Sequence, residues 1–154
     1  MVTPAQARAR VAAVPDPELP VVTIDDLGIL REVAVDSDRV TVTITPTYSG
    51  CPAMEAIRAD IAAALDGLQV EVRTVLSPAW STDWISAEGR RKLAEHGVTP
   101  PRRTGPVELL LGGLTCPQCG SRDTEELSRF GSTACQSQWR CRSCREPFSH
   151  VKDL

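Results

Sequence analysis

Four cysteines near the end of the chain form two closely spaced pairs. Cys116 and Cys119 make the first Cys-x-x-Cys pair, Cys141 and Cys144 make the second, and 21 residues separate the two pairs. Each pair falls in a turn-rich stretch, so its two thiolates can converge on one ion, and four thiolates suit tetrahedral Zn²⁺. The segment 128–140 can form a hairpin that brings the pairs together. The spacing therefore predicts a structural zinc ribbon.

Other chemistry is open to the same cysteines. They could form disulfides or redox-active dithiols, although a redox pair usually opens a helix in a larger fold. They could also hold a 2Fe–2S or 4Fe–4S cluster. Cys135 is a fifth thiol that zinc does not need, either a small buried side chain or a spare ligand. His150 would be a ligand only if one of the four cysteines is not.

Cys51 is the remaining cysteine, in the sequence Gly50-Cys51-Pro52 between a predicted strand and a predicted helix. A thiol at a helix N-terminus is favoured in its thiolate form by free N–H groups and the helix dipole. Gly50 permits close backbone approach. Thr47 and its neighbouring hydroxyls could support a metal or an anion. A buried structural cysteine is the alternative reading.

Two carboxylates, Asp16 and Glu18, flank Pro17 in a rigid proline-rich turn. They could bind a metal or steer a partner, but composition alone favours a solvated turn. Without a nearby histidine, these acids and Cys51 do not make a nucleophilic triad. The sequence therefore contains no evident catalytic set.

The elements that must position these residues follow the order α-β-β-α-β. A helix is predicted from Pro4 to about Ala13, capped by Thr3, followed by strands over 32–36, 39–45 and 69–76 and a helix over 52–66. The strand 39–45 alternates, with Val40, Val42 and Ile44 inward and the threonines, including Thr45, outward. In the helix over 52–66, Ile57 and Ile61 fall at helical spacing on one apolar face. This order indicates an α+β fold with helices on one sheet face. We expect a domain over 1–77, a connecting segment over 78–106 that contains Trp80 and Trp84, and the zinc ribbon over 107–154.

Composition sets limits on the function. The 154-residue chain is 42% hydrophobic and 24% charged, with a net charge of −3. Residues 1–113 carry a net charge of −4 and residues 114–154 a net charge of +1, so neither part has the basic balance of a nucleic-acid-binding protein. No segment reaches the apolar length of a membrane span, and the first residues lack a signal-peptide core. We expect a cytoplasmic protein whose cysteines bind metal.

Several motifs together resemble a known domain. Asp16-Pro17-Glu18-Leu19-Pro20, then Ile24-Asp25-Asp26-Leu27-Gly28, then Thr47-x-x-x-Cys51-Pro52 resemble the iron–sulfur-assembly domain of SufT-like proteins and of some cluster-carrier ATPases. This resemblance covers about residues 5–77. It implies that Cys51 handles iron or a cluster and that Thr47, Asp16 and Glu18 belong to the same site.

The rest of the chain resembles the PaaD (or PaaJ) family, the D subunits of bacterial phenylacetyl-CoA epoxidase systems. The motifs are Pro78-Ala79-Trp80-Ser81-Thr82-Asp83-Trp84-Ile85, the four ribbon cysteines, and the stretch from Phe130 to Cys135. The resemblance implies a non-catalytic component of a multicomponent oxygenase. Its partners would be the reductase, which carries flavin and a 2Fe–2S cluster, or the di-iron oxygenase subunit.

Two functional hypotheses follow. In the first, the protein is a maturation factor that transiently carries iron or an iron–sulfur cluster. Since one thiol cannot hold a cluster alone, a homodimer or a partner must supply the other ligands. In the second, the protein is a structural adapter that docks on the oxygenase through the ribbon and the tryptophan segment, with Cys51 merely buried. Thiol redox catalysis and nucleic-acid binding have no supporting motif or charge.

Overall fold

The computed structural model describes residues 1–103 and 113–153 and divides the chain into two compact units. The first unit is Met1–Gly89 and the second is Arg90–Leu154. The boundary lies inside the segment 78–106, so the residues of that segment divide between the two units. No helix in the described ranges is long and apolar enough to cross a bilayer.

The first unit has the α-β-β-α-β order that the sequence predicts. Its elements are α1 (Pro4–Ala12), β1 (Leu30–Asp36), β2 (Arg39–Ile44), α2 (Ala53–Ala64) and β3 (Gln69–Thr74), followed by a 3-10 turn (Thr82–Trp84) and the start of α3 (Ala87–Glu95). Thr3 caps α1 as predicted, in a reciprocal capping box with Gln6.

A three-stranded sheet in the order β1-β2-β3 forms the framework of this unit. β1 and β2 are antiparallel, whereas β2 and β3 are parallel and joined through α2. The central strand buries Val40, Val42 and Ile44, as its alternation predicts, and they share a core with Ile57 and Ile61 of α2. The carboxyl end of β2 and the start of α2 therefore meet at one edge of the sheet, which is where the Cys51 loop lies.

Thr45 corrects one detail of this pattern. We expected its side chain to point outward with the other threonines, but it is only 1% exposed. The strand ends at Ile44, and the Thr45 N–H donates to the Ile29 carbonyl at 2.9 Å. Strand alternation therefore no longer applies at this position, and the Thr45 hydroxyl is buried in the first unit.

The second unit contains a four-stranded sheet in the order β4-β7-β6-β5. Its strands are β4 (Val98–Thr99), β5 (Thr124–Ser128), β6 (Gln136–Cys141) and β7 (Pro147–Val151). β5 and β6 form the antiparallel hairpin expected between the cysteine pairs. Its buried cluster is small: Leu114, Cys116, Cys141 and Phe148, with Trp139 packed against it.

Candidate metal centre and the Cys51 loop

Two similar turns carry the four ribbon cysteines. In the first turn, the Cys116 N–H donates to the Ser121 carbonyl at 2.8 Å, and Gly120 has a φ of 73°. In the second, the Cys141 N–H donates to the Glu146 carbonyl at 3.0 Å, and the residue after Cys144 has a φ of 68°. Each chain reversal needs one left-handed residue directly after the second cysteine, and glycine supplies it in the first turn at little cost.

The two turns bring four sulfur atoms together. The Sγ atoms of Cys116 and Cys144 are 3.7 Å apart, those of Cys119 and Cys141 are 3.6 Å apart, and all four lie within 4.8 Å of one another. A tetrahedral ion with metal–sulfur bonds of about 2.3 Å requires sulfur atoms about 3.8 Å apart. The donor set and its spacing therefore fit one tetrahedral metal ion of the zinc type.

The electrostatics of the cluster point the same way. A backbone N–H from Cys144 lowers the pKa of the Cys141 thiol. The Glu146 N–H acts likewise on Cys144, but desolvation and the neighbouring thiols together outweigh it and raise the pKa of Cys144. Four thiols at this distance cannot all ionise unless a cation compensates their charge, so the site is built for a bound cation.

Charged side chains hold the second turn against the hairpin. Arg140 and Arg142 both donate to the Glu125 carboxylate, the latter from Nη2 at 3.0 Å. The backbone N–H of Arg142 also donates to the Asp123 carbonyl at 2.8 Å. Since Arg142 lies between Cys141 and Cys144 in the chain, these contacts fix the position of both sulfur atoms relative to β5.

Cys135 and His150 lie outside the four-sulfur cluster. The Cys135 sulfur is 3.1 Å from the Thr133 hydroxyl oxygen, and its backbone carbonyl accepts from Lys152. His150 is buried, with Nδ1 3.1 Å from the Thr99 carbonyl, so that nitrogen carries a proton and donates. Burial lowers the pKa of this imidazole. The role of His150 is to connect β7 with β4.

Cys51 lies just before α2 and is half-buried. Its carbonyl accepts from the Met54 N–H at 3.2 Å, and the N-cap residue Pro52 makes no side-chain hydrogen bond to the helix. Gly50 has a φ of 78°, but a Cβ there would meet nothing within 4 Å. Glycine is therefore needed for the left-handed turn, and not for the close approach that we expected.

The acidic turn is mainly structural. Asp16 is buried, and its Oδ1 accepts from the N–H groups of Glu18 and Leu19 at 2.9 and 2.8 Å. Burial raises the pKa of the Asp16 carboxyl, and these two N–H groups oppose the shift. Within residues 1–103 and 113–153, Asp16, Glu18 and Cys51 do not form a cluster able to share one ion. Thr47 is half-buried in the Cys51 loop.

Thr45 is a residue that sequence reasoning missed. Its buried Oγ1 has no hydrogen-bond partner among the described residues. An unsatisfied buried hydroxyl costs about 1–3 kcal/mol of stability. Thr45 lies at the end of β2, six residues before Cys51 in the same loop. The residue was overlooked because its place in an alternating strand pattern gave an ordinary explanation for it.

The tryptophan segment packs within the first unit. Trp80 is buried, and its Nε1–H donates to the Leu27 carbonyl at 2.8 Å. Trp84 packs on Gly28, where a Cβ would come within 2.6 Å of it, and the Arg31 guanidinium lies 3.8 Å from the centre of its ring. Trp80 is therefore a core residue of the first unit, which makes it unsuitable as an exposed docking anchor.

Comparisons with known proteins agree with this two-part organisation. Residues 4–77 match the model of the iron–sulfur cluster assembly protein family, and residues 110–152 match the PaaD zinc beta ribbon domain. Two solved structures share the fold: a DUF59 domain from Bacillus anthracis and the conserved hypothetical protein TM0487 from Thermotoga maritima. The first has 31% identity and a TM-score of 0.55, covering 58% of this chain and 90% of that one. The second has 29% identity and a TM-score of 0.50, covering 60% and 94%.

Two relatives extend the comparison to sequence. An Fe-S protein maturation auxiliary factor from Porphyromonas gingivalis (strain ATCC BAA-308 / W83) is 35% identical over 83 residues, which is 51% of this chain and 78% of that protein. A protein named as the D subunit of 1,2-phenylacetyl-CoA epoxidase, from Escherichia coli (strain K12), is 44% identical over 147 residues, 94% of this chain and 89% of that protein. With an iron–sulfur-assembly-type domain followed by a PaaD ribbon along nearly its whole length, the chain belongs to the PaaD family of phenylacetyl-CoA epoxidase D subunits.

Proposed function

We propose that this protein is a non-catalytic maturation component of a phenylacetyl-CoA epoxidase system, acting in the cytoplasm. It would deliver iron or an iron–sulfur cluster to the reductase or to the di-iron oxygenase subunit. One observation carries the proposal. The chain joins a domain of the iron–sulfur-assembly family, with a half-buried cysteine just before α2, to a separate cluster of four cysteine sulfurs.

The two cysteine sites have different tasks in this proposal. Cys116, Cys119, Cys141 and Cys144 hold a structural Zn²⁺, because four sulfur ligands complete a tetrahedron and leave no position for exchange. Cys51 is the only remaining cysteine outside the ribbon, and its half-buried thiol is the candidate for transient contact with the cargo. The ribbon would therefore stabilise the protein, while the first unit handles iron.

Cys51 supplies one soft ligand, just before the start of α2. Thr47 would contribute an oxygen from the same loop. Asp16 would act by holding the turn that carries Glu18, since its own Oδ1 is already occupied. The remaining ligands to the cargo come from the recipient subunit or from a second copy of this chain.

A structural adapter is the second candidate, and one observation favours it. Phe130 and Leu127 on the ribbon are 74% and 54% exposed, and aromatic side chains are common interface anchors. The two hypotheses make different predictions about metal. An adapter is needed for the complex to assemble, whereas a maturation factor is needed for its subunits to acquire iron.

The test compares Cys51→Ser with Cys135→Ser in cells that produce the whole epoxidase system. Cys135 is the matched control, because it is also half-buried and lies outside the four-sulfur cluster. We expect Cys51→Ser to leave subunit amounts unchanged while iron or cluster content of the purified reductase or oxygenase falls. Normal iron and cluster content in every subunit would rule out Cys51 as the maturation residue. Loss of complex assembly with normal metal content would favour the adapter.

A further inference from the structure

The outer edge of β3 is an open strand edge. β3 is a terminal strand of its sheet, paired only with β2 among the described strands. Gln69 and Val75 direct their N–H groups toward β2, donating to the Asp38 carbonyl at 3.1 Å and the Ile44 carbonyl at 2.9 Å. Since alternate residues of a strand direct their backbone groups to opposite sides, those of residues 70, 72 and 74 point away from β2. An open edge of this kind is a template for another strand.

Contacts at this edge agree with that assignment. The Val72 carbonyl accepts from Arg58 Nη1 at 3.0 Å, as expected for a carbonyl that no strand uses. A carbonyl oxygen has two lone pairs, so this contact leaves one available. Val75 and Leu76, directly after β3, are 36% and 62% exposed. In the described part of the first unit, they are the exposed large hydrophobic residues other than Met1. Arg58 Nη2 also donates to the Thr74 hydroxyl, so one arginine side chain partly covers this edge. The edge is therefore unpaired by any described strand and flanked by apolar side chains.

The sequence of this edge is complementary to itself. We propose that two copies of the chain pair their β3 strands antiparallel about Val72, which joins two three-stranded sheets into one of six strands. Such an interface is isologous, so each residue meets its mirror position in the partner. The resulting pairs are Val72 with Val72, Glu71 with Arg73, Val70 with Thr74, and Leu68 with Leu76.

Hydrogen bonding and charge select the same register. The outward-facing residues 70, 72 and 74 are symmetric about Val72, so all three become hydrogen-bonded pairs. Glu71 and Arg73 then form the closer, non-hydrogen-bonded pairs, where opposite charges are favourable. In the single chain, Arg73 Nε donates to the carboxylate of Glu71 at 2.8 Å, and the two side chains are 61% and 42% exposed. Pairing replaces this contact within one strand by two contacts between copies.

This interface is distinct from any sharing of cargo. Cys51 follows the carboxyl end of β2, which runs parallel to β3. An antiparallel β3 pair therefore places the two Cys51 residues at opposite ends of the joined sheet. Each copy keeps its own loop for the cargo, so the dimer and the proposed maturation function can fail independently.

The test measures the mass of the full-length, zinc-containing protein by light scattering and sedimentation. The chain is 16.7 kDa, and the wild-type species should have twice that mass. Glu71→Arg and Arg73→Glu should each raise the dimer dissociation constant by about tenfold or more, because each places two like-charge pairs across the interface. Leu76→Glu should also weaken the dimer. Leu127 on the ribbon is 54% exposed, against 62% for Leu76, so Leu127→Glu is the matched control and should leave the dimer unchanged.

Mixing the two charge variants gives the decisive result. In a mixed dimer, the two arginines that one variant carries at positions 71 and 73 would face the two glutamates of the other. When the Glu71→Arg protein is mixed with the Arg73→Glu protein, the two should therefore form a heterodimer that is tighter than the homodimer of either variant. If Glu71 and Arg73 only stabilised the single chain, mixing the two variants would not restore the dimer. A wild-type protein that remains at 16.7 kDa up to about 0.1 mM would overturn the proposal. A dimer that neither variant weakens, or variants that do not associate on mixing, would overturn it as well.

Discussion

Replacing Cys116 by serine tests the physical basis of the ribbon. Cys116 is buried in the small cluster and is one of the four sulfur atoms. Serine keeps nearly the same volume but gives a hydroxyl, a poor ligand for a zinc ion that prefers thiolate. Because the remaining ligands no longer close a tetrahedron, we expect Cys116→Ser to lose its zinc. The residues around the site would then lose their main source of stability.

The structure indicates how large this effect is. The apolar part of the cluster comes from Leu114 and Phe148, with Trp139 at its side. Burying a leucine or phenylalanine side chain contributes about 1.5–3 kcal/mol each. A structural zinc ion bound by such ligands contributes about 10–16 kcal/mol. The metal term is therefore larger than the apolar term, and the ribbon should unfold when the metal is lost.

Metal analysis and limited proteolysis measure both consequences. Wild-type protein and Cys135→Ser should each hold about one zinc per chain and resist cleavage after residue 113. Cys116→Ser should hold little zinc and be cleaved within 113–153, while the first unit stays resistant. Full zinc retention in Cys116→Ser would refute the ligand assignment. Zinc loss with a ribbon that remains protease-resistant would refute the energetic argument.

Three further predictions concern buried polar groups. Asp16→Ala should lower the unfolding free energy by about 1–3 kcal/mol by removing two hydrogen bonds, whereas Asp16→Asn keeps an acceptor and should not. The pKa of Asp16 is higher in the folded than in the unfolded protein. The stability that this shift contributes is therefore present below the unfolded pKa and is lost as pH rises through the folded pKa. In denaturant titrations at several pH values, Asp16→Asn should abolish this pH dependence of the unfolding free energy. Trp80→Phe should cost about 1–3 kcal/mol, measured the same way, since the Leu27 carbonyl loses its donor. Burial lowers the pKa of His150, so its NMR titration should have a midpoint below about 6.5. Its contribution to stability should fall as pH drops below that value. An NMR midpoint above about 6.5 would contradict the buried placement of the imidazole.

The elements with a strong local pattern were predictable from the sequence. Alternation in β2 identified Val40, Val42 and Ile44 as buried, and helical spacing identified Ile57 and Ile61. Both patterns are periodic, and a periodic arrangement of apolar residues specifies which face of an element must leave water. Thr3 was recognised as a cap because capping depends on neighbours in the chain.

Residues whose role depends on distant contacts were not predictable in this way. Trp80 was expected to join the two parts or to face a partner, yet it donates to Leu27, 53 positions earlier in the chain. Thr45 was assigned outward because the alternation of β2 was extended one residue too far. In both cases the decisive contact comes from a segment that no local pattern connects to the residue.

The sequence by itself determined the identity of the candidate ligands, since paired Cys-x-x-Cys spacing constrains two thiolates to one turn. It also determined the order of helices and strands, because hydrophobic periodicity is local. Only the tertiary structure decided that four sulfur atoms lie within 4.8 Å of one another, and that Asp16 uses its carboxylate to hold its own turn. Among the strands that the structure describes, only the tertiary arrangement leaves the outer edge of β3 without a neighbour. These properties depend on which distant segments pack together, and packing is settled by the fit of whole elements, which no short stretch of sequence encodes.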